Sequence, residues 1–295
     1  MSAGGRLVRT AAGAASGVTA AWAARLAYTA VGRRPPGGPT AWSRTNHRGE
    51  PVTLLEGPAV AAGAIAGALA HAGLVSMAGS PGWRAGTAMA VAGAGGAAFG
   101  AYDDLAGSAD RRGFRGHLGA LRHGELTTGA VKLGGIGITG ILSAALAGGA
   151  PADMVINAGL VAGGANLLNL FDLRPGRAIK VAAASGALIT VGGALSSGSA
   201  VPVAAGLALL PEDLGEQAML GDCGANALGA MLGAAAAAGL PRPARIALLA
   251  GIAGLTAASE KVSFTKVIER TPALRRLDML GRRPPEDTGE RAFPP

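Results

Sequence analysis

Asp103 and Asp104 form an adjacent carboxylate pair at the end of an uncharged run that begins after Arg84. Carboxylates are costly to hold beside hydrocarbon, so such a pair in a very apolar chain reads as a functional site. Two later stretches repeat the arrangement. Asn166, Asn169 and Asp172 close one apolar run, and Asp222 opens another within Gly221-Asp222-Cys223-Gly224. Oxygen donors of this kind suit Mg2+, which keeps several waters and takes further ligands from substrate phosphates. Lys132, Arg111, Arg112, Arg115 and Arg122 could pair with other phosphate oxygens. A carboxylate near the metal could take a proton from an acceptor group. The pattern points to metal-assisted chemistry on a phosphorylated substrate.

The elements that position these residues follow from composition. Hydrophobic residues make up 49% and charged residues 15% of the chain, with 50 Gly and a mean hydropathy of +0.37. That balance excludes an ordinary soluble domain and indicates a polytopic membrane protein. Gly and Ala in such number suit helices packed backbone to backbone in lipid. The lone Cys223 excludes an internal disulfide and reads as a small packing residue. No cleaved signal is expected, because Arg25 interrupts the first apolar stretch.

About 20 apolar residues cross a bilayer as a helix, so charge-free intervals mark the spans. The intervals 57–83, 85–102, 133–152, 154–171 and 223–241 each hold one, and 246–259 holds a shorter one. Residues 181–211 read as a hairpin of two short helices, broken at Ser196-Ser197-Gly198-Ser199 and Pro202. With a weaker first helix near 8–31, the expected fold is an all-α transmembrane bundle of about nine helices. It divides into a membrane domain over 1–259 and a basic, Pro-rich cytoplasmic tail over 260–295. Segments 32–52, 102–132, 173–180 and 260–295 hold 20 of the 26 Lys and Arg, which places them in the cytoplasm and the N-terminus outside. Arg6 and Arg9 oppose that assignment, and it requires the 181–211 hairpin. The same alternation gathers Asp103, Asp104, Asp172 and Asp222 on the cytoplasmic face.

Four stretches resemble the polyprenyl-phosphate N-acetylhexosamine-1-phosphate transferases. Gly100-Ala101-Tyr102-Asp103-Asp104 is similar to that family's aspartate pair, and Leu126 to Leu133 to its Lys-bearing helix start. Asn166-Leu167-Leu168-Asn169-Leu170-Phe171-Asp172 resembles Asn-x-x-Asn-x-x-Asp, and Gly221 to Gly229 resembles Gly-Asp-x-Gly-x-x-x-Leu-Gly. His47-Arg48-Gly49, with Pro51 and Gly57, is similar to the family's basic first cytoplasmic loop. The resemblance implies an enzyme that moves a sugar 1-phosphate from a UDP-sugar to polyprenyl phosphate, releasing UMP, in envelope glycan or peptidoglycan synthesis at the plasma membrane. Mg2+ is then the cofactor. Asp222 with Asp104 would ligate it, while Asp103 or Asp104 would meet the acceptor phosphate or deprotonate it. Asp172 would hold metal or nucleotide, Asn166 and Asn169 would orient the site, and Lys132, His47 and Arg115 would bind substrate. The partners are the two substrates and the membrane, with a second copy of the chain as an option and no nucleic acid.

This chain departs from the pattern in two places. Asp172 is followed by Leu173-Arg174-Pro175-Gly176-Arg177 instead of Gly-Leu-x-Gly, and the tail after Glu260 contains no His. Structural alternatives stand beside each role. Asp103 and Asp104 could be solvated helix-end charges, and Asp222 could cap its helix. Asn166 and Asn169 could bond between helices. Arg111, Arg112 and Arg115 fit headgroup contacts, His117 and His123 fit solvated loop residues, and His71 fits a packed one. At the level of the whole protein, the alternatives are a non-catalytic envelope-assembly scaffold and, less favoured, a transporter. A transporter would place its titratable groups near mid-bilayer in repeated halves.

Overall fold

A computed structural model describes residues 3–79, 82–106, 127–193 and 198–284. The order is α1 (Ala3–Arg33), a 3-10 turn (Pro39–Trp42), β1 (Ser43–Thr45), β2 (Pro51–Thr53), α2 (Glu56–Met77), α3 (Trp83–Ala106), α4 (Thr128–Ala147) and α5 (Pro151–Phe171). It continues with α6 (Arg177–Gly192), α7 (Ala200–Leu214), α8 (Gly221–Gly239), α9 (Arg242–Ser259), α10 (Phe264–Arg270) and α11 (Pro272–Met279). The protein is all-α apart from one short antiparallel ribbon, in which Arg44 pairs with Val52.

Helix α8 is the centre of the bundle, packed against α3, α5, α2 and α6 and buried along nearly its whole length. Its composition explains this. A Cβ placed on Gly233 would lie 2.2 Å from the Leu160 carbonyl oxygen, and one on Gly229 would lie 2.2 Å from that of Gly164. Only glycine allows α5 and α8 to touch backbone to backbone there, which is how helices gain dispersion contact in lipid.

Among the described residues, α2, α4 and α5 are each long and apolar enough to cross a membrane. Helices α9 and α10 add a fourth crossing if the pair, bent by 94°, is taken as one broken span. Large apolar side chains stand exposed on these helices, including Leu69, Ile138, Ile141, Leu142 and Val155, as a lipid-facing surface requires. The remaining long helices fall short for local reasons. Helices α6 and α7 have 16 and 15 residues, about 24 Å of rise against a hydrocarbon core of about 30 Å. Helix α1 carries Arg25, which pairs with Glu212 of α7.

Several helices run past the charges expected to end them. α6 begins at Arg177, not after Lys180, and α4 begins at Thr128, one turn before Lys132. Pairing makes this tolerable. The Arg177 side chain bonds Asp278 at 2.6 and 3.1 Å, and Lys180 donates to the Asp278 carbonyl at 2.7 Å. These contacts dock α10 and α11 against α6, helped by Phe264 stacked on Phe171 with ring centroids 5.2 Å apart.

Candidate functional site

The C-terminal end of α3 lies against the first turn of α8. A Cβ on Gly100 would sit 2.3 Å from the Asp222 carbonyl oxygen. Gly221 has φ +60°, and a Cβ there would come within 3.0 Å of Asp104. Both glycines are thus required by the close approach. With α3 that near, the two oxygens of Asp104 divide between the first amides of α8, accepting from Asp222 N at 3.0 Å and from Cys223 N at 2.9 Å. Leu220, the N-cap residue of α8, supplies no side-chain cap, so Asp104 caps this helix from its neighbour. Asp222 does not act as the cap. Arg44 also donates to the Asp104 carbonyl, tying the first loop to the same corner.

Asp103 faces the other way, toward α4. The Lys132 Nζ stands 2.7 Å from Asp103 Oδ2 and 2.6 Å from Asp222 Oδ2, with all three side chains mostly buried. Lys132 is held there by the helix start, where the Thr127 hydroxyl accepts from the Ala130 amide at 3.1 Å. Asp172, the C-cap residue of α5, lies against the Gly221 amide and within electrostatic reach of Asp222 and Asp104. Asp103, Asp104, Lys132, Asp172 and Asp222 therefore meet in space.

Asp172 also lines a cavity of about 390 Å3 shared with Asn46, His47, Arg174, Asp213 and Glu216. Glu216 is buried and held by Asn46 at 2.9 Å and by Arg48 at 2.9 Å, while His47 Nδ1 stands 3.8 Å from it. Burial lowers the His47 pKa; Glu216 opposes the shift, and Arg174, Arg282 and Arg48 add to it. His47 is thereby favoured as a neutral imidazole. Above it, Arg48 donates to the carbonyls of Arg283 and Pro284, and Arg283 bonds Glu50, so the C-terminal segment crosses beside this loop.

Asn166 and Asn169 are half-buried on α5. The Asn166 amide donates to Thr256 of α9 at 3.4 Å, and the Asn169 carbonyl accepts from the Asp172 amide. Arg111, Arg112, Arg115, Arg122, His117 and His123 lie outside the described residues. Two participants have no local signature in the sequence. Glu216 meets Arg48 across 168 positions, and Asp213 reaches the cavity from the end of α7. A third, Glu56, looks like a simple span boundary, yet it is fully buried and neither carboxyl oxygen has a hydrogen-bond partner among the described residues.

Among the described residues, no group of three or more His, Cys, Asp or Glu side chains is arranged to hold a metal ion. Lys132 Nζ nevertheless marks a point that two carboxylates reach together. One or two carboxylates, with phosphates and waters, make up a common Mg2+ ligand set. Asp103 and Asp222 fit that set. Asp104 has both oxygens engaged with α8. No family model, curated protein or solved structure matches this chain. Fold and site define an all-helical protein with helices of membrane-crossing length and a basic-acidic cluster at one end of the bundle.

Proposed function

We propose that the protein is an integral membrane transferase that moves a sugar 1-phosphate from a UDP-sugar to polyprenyl phosphate at the cytoplasmic face of the plasma membrane. The nine long helices among the described residues would all cross, the short α6 and α7 by local thinning of the bilayer, with the N-terminus outside and the C-terminus inside. The observation that carries this reading is the Asp103–Lys132–Asp222 cluster beside the Asp172 and His47 cavity. In the transfer, an acceptor phosphate oxygen would bond to the sugar-bearing phosphorus while the pyrophosphate P–O bond breaks and UMP leaves. Lys132 would pair with oxygens of the transferred phosphate, Asp172 would hold the acceptor's proton, and Asp104 would fix the α8 amides around the site. His47 and Arg174 would orient the donor. Asp103 and Asp222 would hold Mg2+, which when bound supplies charge neutralisation of the pyrophosphate. An apolar groove of about 320 Å3 between α5, α6, α8 and α9, lined by Leu167, Leu188, Leu232 and Leu248, suits a polyprenyl chain.

One observation favours a second reading. Lys132 already pairs with both Asp103 and Asp222, and Asp104 is engaged with α8, which is what a purely structural cluster would show. The protein would then be a non-catalytic relative that serves as a scaffold in envelope assembly. UMP release separates the two. The expected outcome is Mg2+-dependent release from UDP-N-acetylglucosamine or UDP-MurNAc-pentapeptide with undecaprenyl or decaprenyl phosphate in detergent, lost in Asp103→Asn and Asp222→Asn. Folded protein that turns over no donor of such a panel would establish the scaffold reading.

A further inference from the structure

The opposite ends of α3 and α5 hold a second polar cavity. Helix α3 has 24 residues, about 36 Å of rise, and Arg84 opens the helix that Asp103 and Asp104 close. Asp153 likewise stands in the first turn of α5, at the other end from Asp172. The cavity measures about 480 Å3 and is lined by Arg84, Gly148, Gly149, Asp153, Asn157 and Arg245, with alanines completing the wall.

Its charges do not balance. Arg245 donates to Asn157 at 2.7 Å and to Asp153 at 3.0 Å, and Arg242 stands 3.5 Å from the same Asp153 oxygen. One carboxylate thus serves two guanidinium groups. The Arg245 Nε is buried with no hydrogen-bond partner among the described residues. Arg84 has no carboxylate partner among the described residues; its guanidinium lies 5.7 Å from the Trp83 ring centroid and against Gly148. A Cβ on Gly148 would come within 3.4 Å of Arg84 Nη1, so the glycine turn between α4 and α5 leaves the guanidinium room. Arg84 and Arg245 line the cavity against the single carboxylate of Asp153, which Arg242 also engages from outside the lining, so positive charge is in excess there. Guanidinium forks match phosphate oxygens in geometry as well as charge.

We propose that this cavity binds a phosphate group, either that of an anionic lipid headgroup or free phosphate, at the membrane face opposite the Asp103–Lys132–Asp222 site. Two features favour the lipid. The alanine wall accepts an apolar neighbour of the phosphate, and Trp83, 44% exposed beside Arg84, is the residue type that settles at the headgroup level. The proposal is independent of the transfer reaction, because none of its residues touches that site.

The test is native mass spectrometry of the full-length protein in detergent, titrated separately with phosphatidylglycerol, phosphatidylcholine and inorganic phosphate. One phosphatidylglycerol should be retained, phosphatidylcholine should not, and Arg84→Gln should raise the dissociation constant about tenfold or more, with Arg84→Lys in between. Arg84 is exposed and has no carboxylate partner among the described residues, so its variants should fold; their unliganded thermal midpoint serves as the control. Inorganic phosphate retained in place of lipid would uphold the site and identify the free anion as its ligand. Equal retention of both lipids with no phosphate bound, or an unchanged dissociation constant in Arg84→Gln, would overturn the proposal.

Discussion

Asp104 accepts the Asp222 amide at 3.0 Å while its neighbour Asp103 bonds Lys132, so the two adjacent aspartates of α3 do different work. Asp104 holds backbone and Asp103 holds charge. Removing the first should mainly cost stability, and removing the second should mainly cost function. Asp104→Ala is expected to lose about 1–2 kcal/mol through the uncapped α8 amides, visible as a lower thermal unfolding midpoint in detergent. Asp103→Asn should leave that midpoint nearly unchanged and abolish UMP release. Equal midpoints in the two variants would show that Asp104 is not the cap of α8.

Lys132 keeps two carboxylates close together in a partly buried setting. Lys132→Met should therefore destabilise the protein by leaving Asp103 and Asp222 opposed, and should lower turnover by roughly 100-fold or more through loss of a phosphate partner. The double variant Lys132→Met with Asp222→Asn should recover stability and stay inactive. Full turnover retained in Lys132→Met, despite a lower midpoint, would assign Lys132 to structure alone.

How much of this was legible in the sequence depends on the reach of each signal. Asp103, Asp104, Lys132, Asp172 and Asp222 stand out because a carboxylate or ammonium at the edge of an apolar run is rare, and the structure does bring them together. Helix limits were less legible. Charge-free intervals end a helix at its first ion, whereas α6 runs through Arg177 and Lys180 because Asp278, about a hundred residues away, takes Arg177 on its carboxylate and Lys180 on its carbonyl. The same blindness to distant partners hides Glu216, which acquires its place only when Arg48 and Asn46 fold over it. The division of labour between Asp103 and Asp104 was equally hidden. It depends on how closely Gly100 lets α3 approach α8, a distance that no spacing along the chain encodes.

The Arg177–Asp278 pair predicts a pH response of the C-terminal segment. Burial alone would raise the Asp278 carboxyl, but the Arg177 hydrogen bond and the charges of Arg177, Arg282 and Lys180 outweigh it and hold the group below the ordinary carboxylate range. A depressed acid contributes stability above its unfolded pKa, about 3.9, and loses it as pH falls through the folded value. Hydrogen exchange should show α10 and α11 protected from neutral pH down to about pH 4, then released at lower pH. Asp278→Ala strands a buried guanidinium, a change worth about 3–5 kcal/mol, and should release α10 so that trypsin cleaves at the already exposed Lys266 and Arg270 at neutral pH. Unaltered trypsin resistance in that variant would mean the segment is held by the Phe171–Phe264 stack instead.

Glu56 poses the sharpest conflict between stability and use. It opens α2 with its side chain fully buried and both oxygens unpartnered among the described residues, and the charges it senses there are Asp213, Asp172 and Glu212, all acidic. A buried polar group with no partner costs about 1–3 kcal/mol, and an apolar residue of similar shape removes that cost. Glu56→Met is therefore expected to raise the unfolding midpoint. If the residue served packing alone, turnover would be retained. Its position beside Asp172 argues otherwise, since polar groups kept at a net cost concentrate where chemistry needs them. Glu56→Met should accordingly be more stable and slower in UMP release, with Glu56→Gln intermediate in both. A fall in the midpoint would instead reveal a bound water or cation satisfying the carboxyl, and native mass spectrometry of the same two proteins would distinguish the cation by its mass.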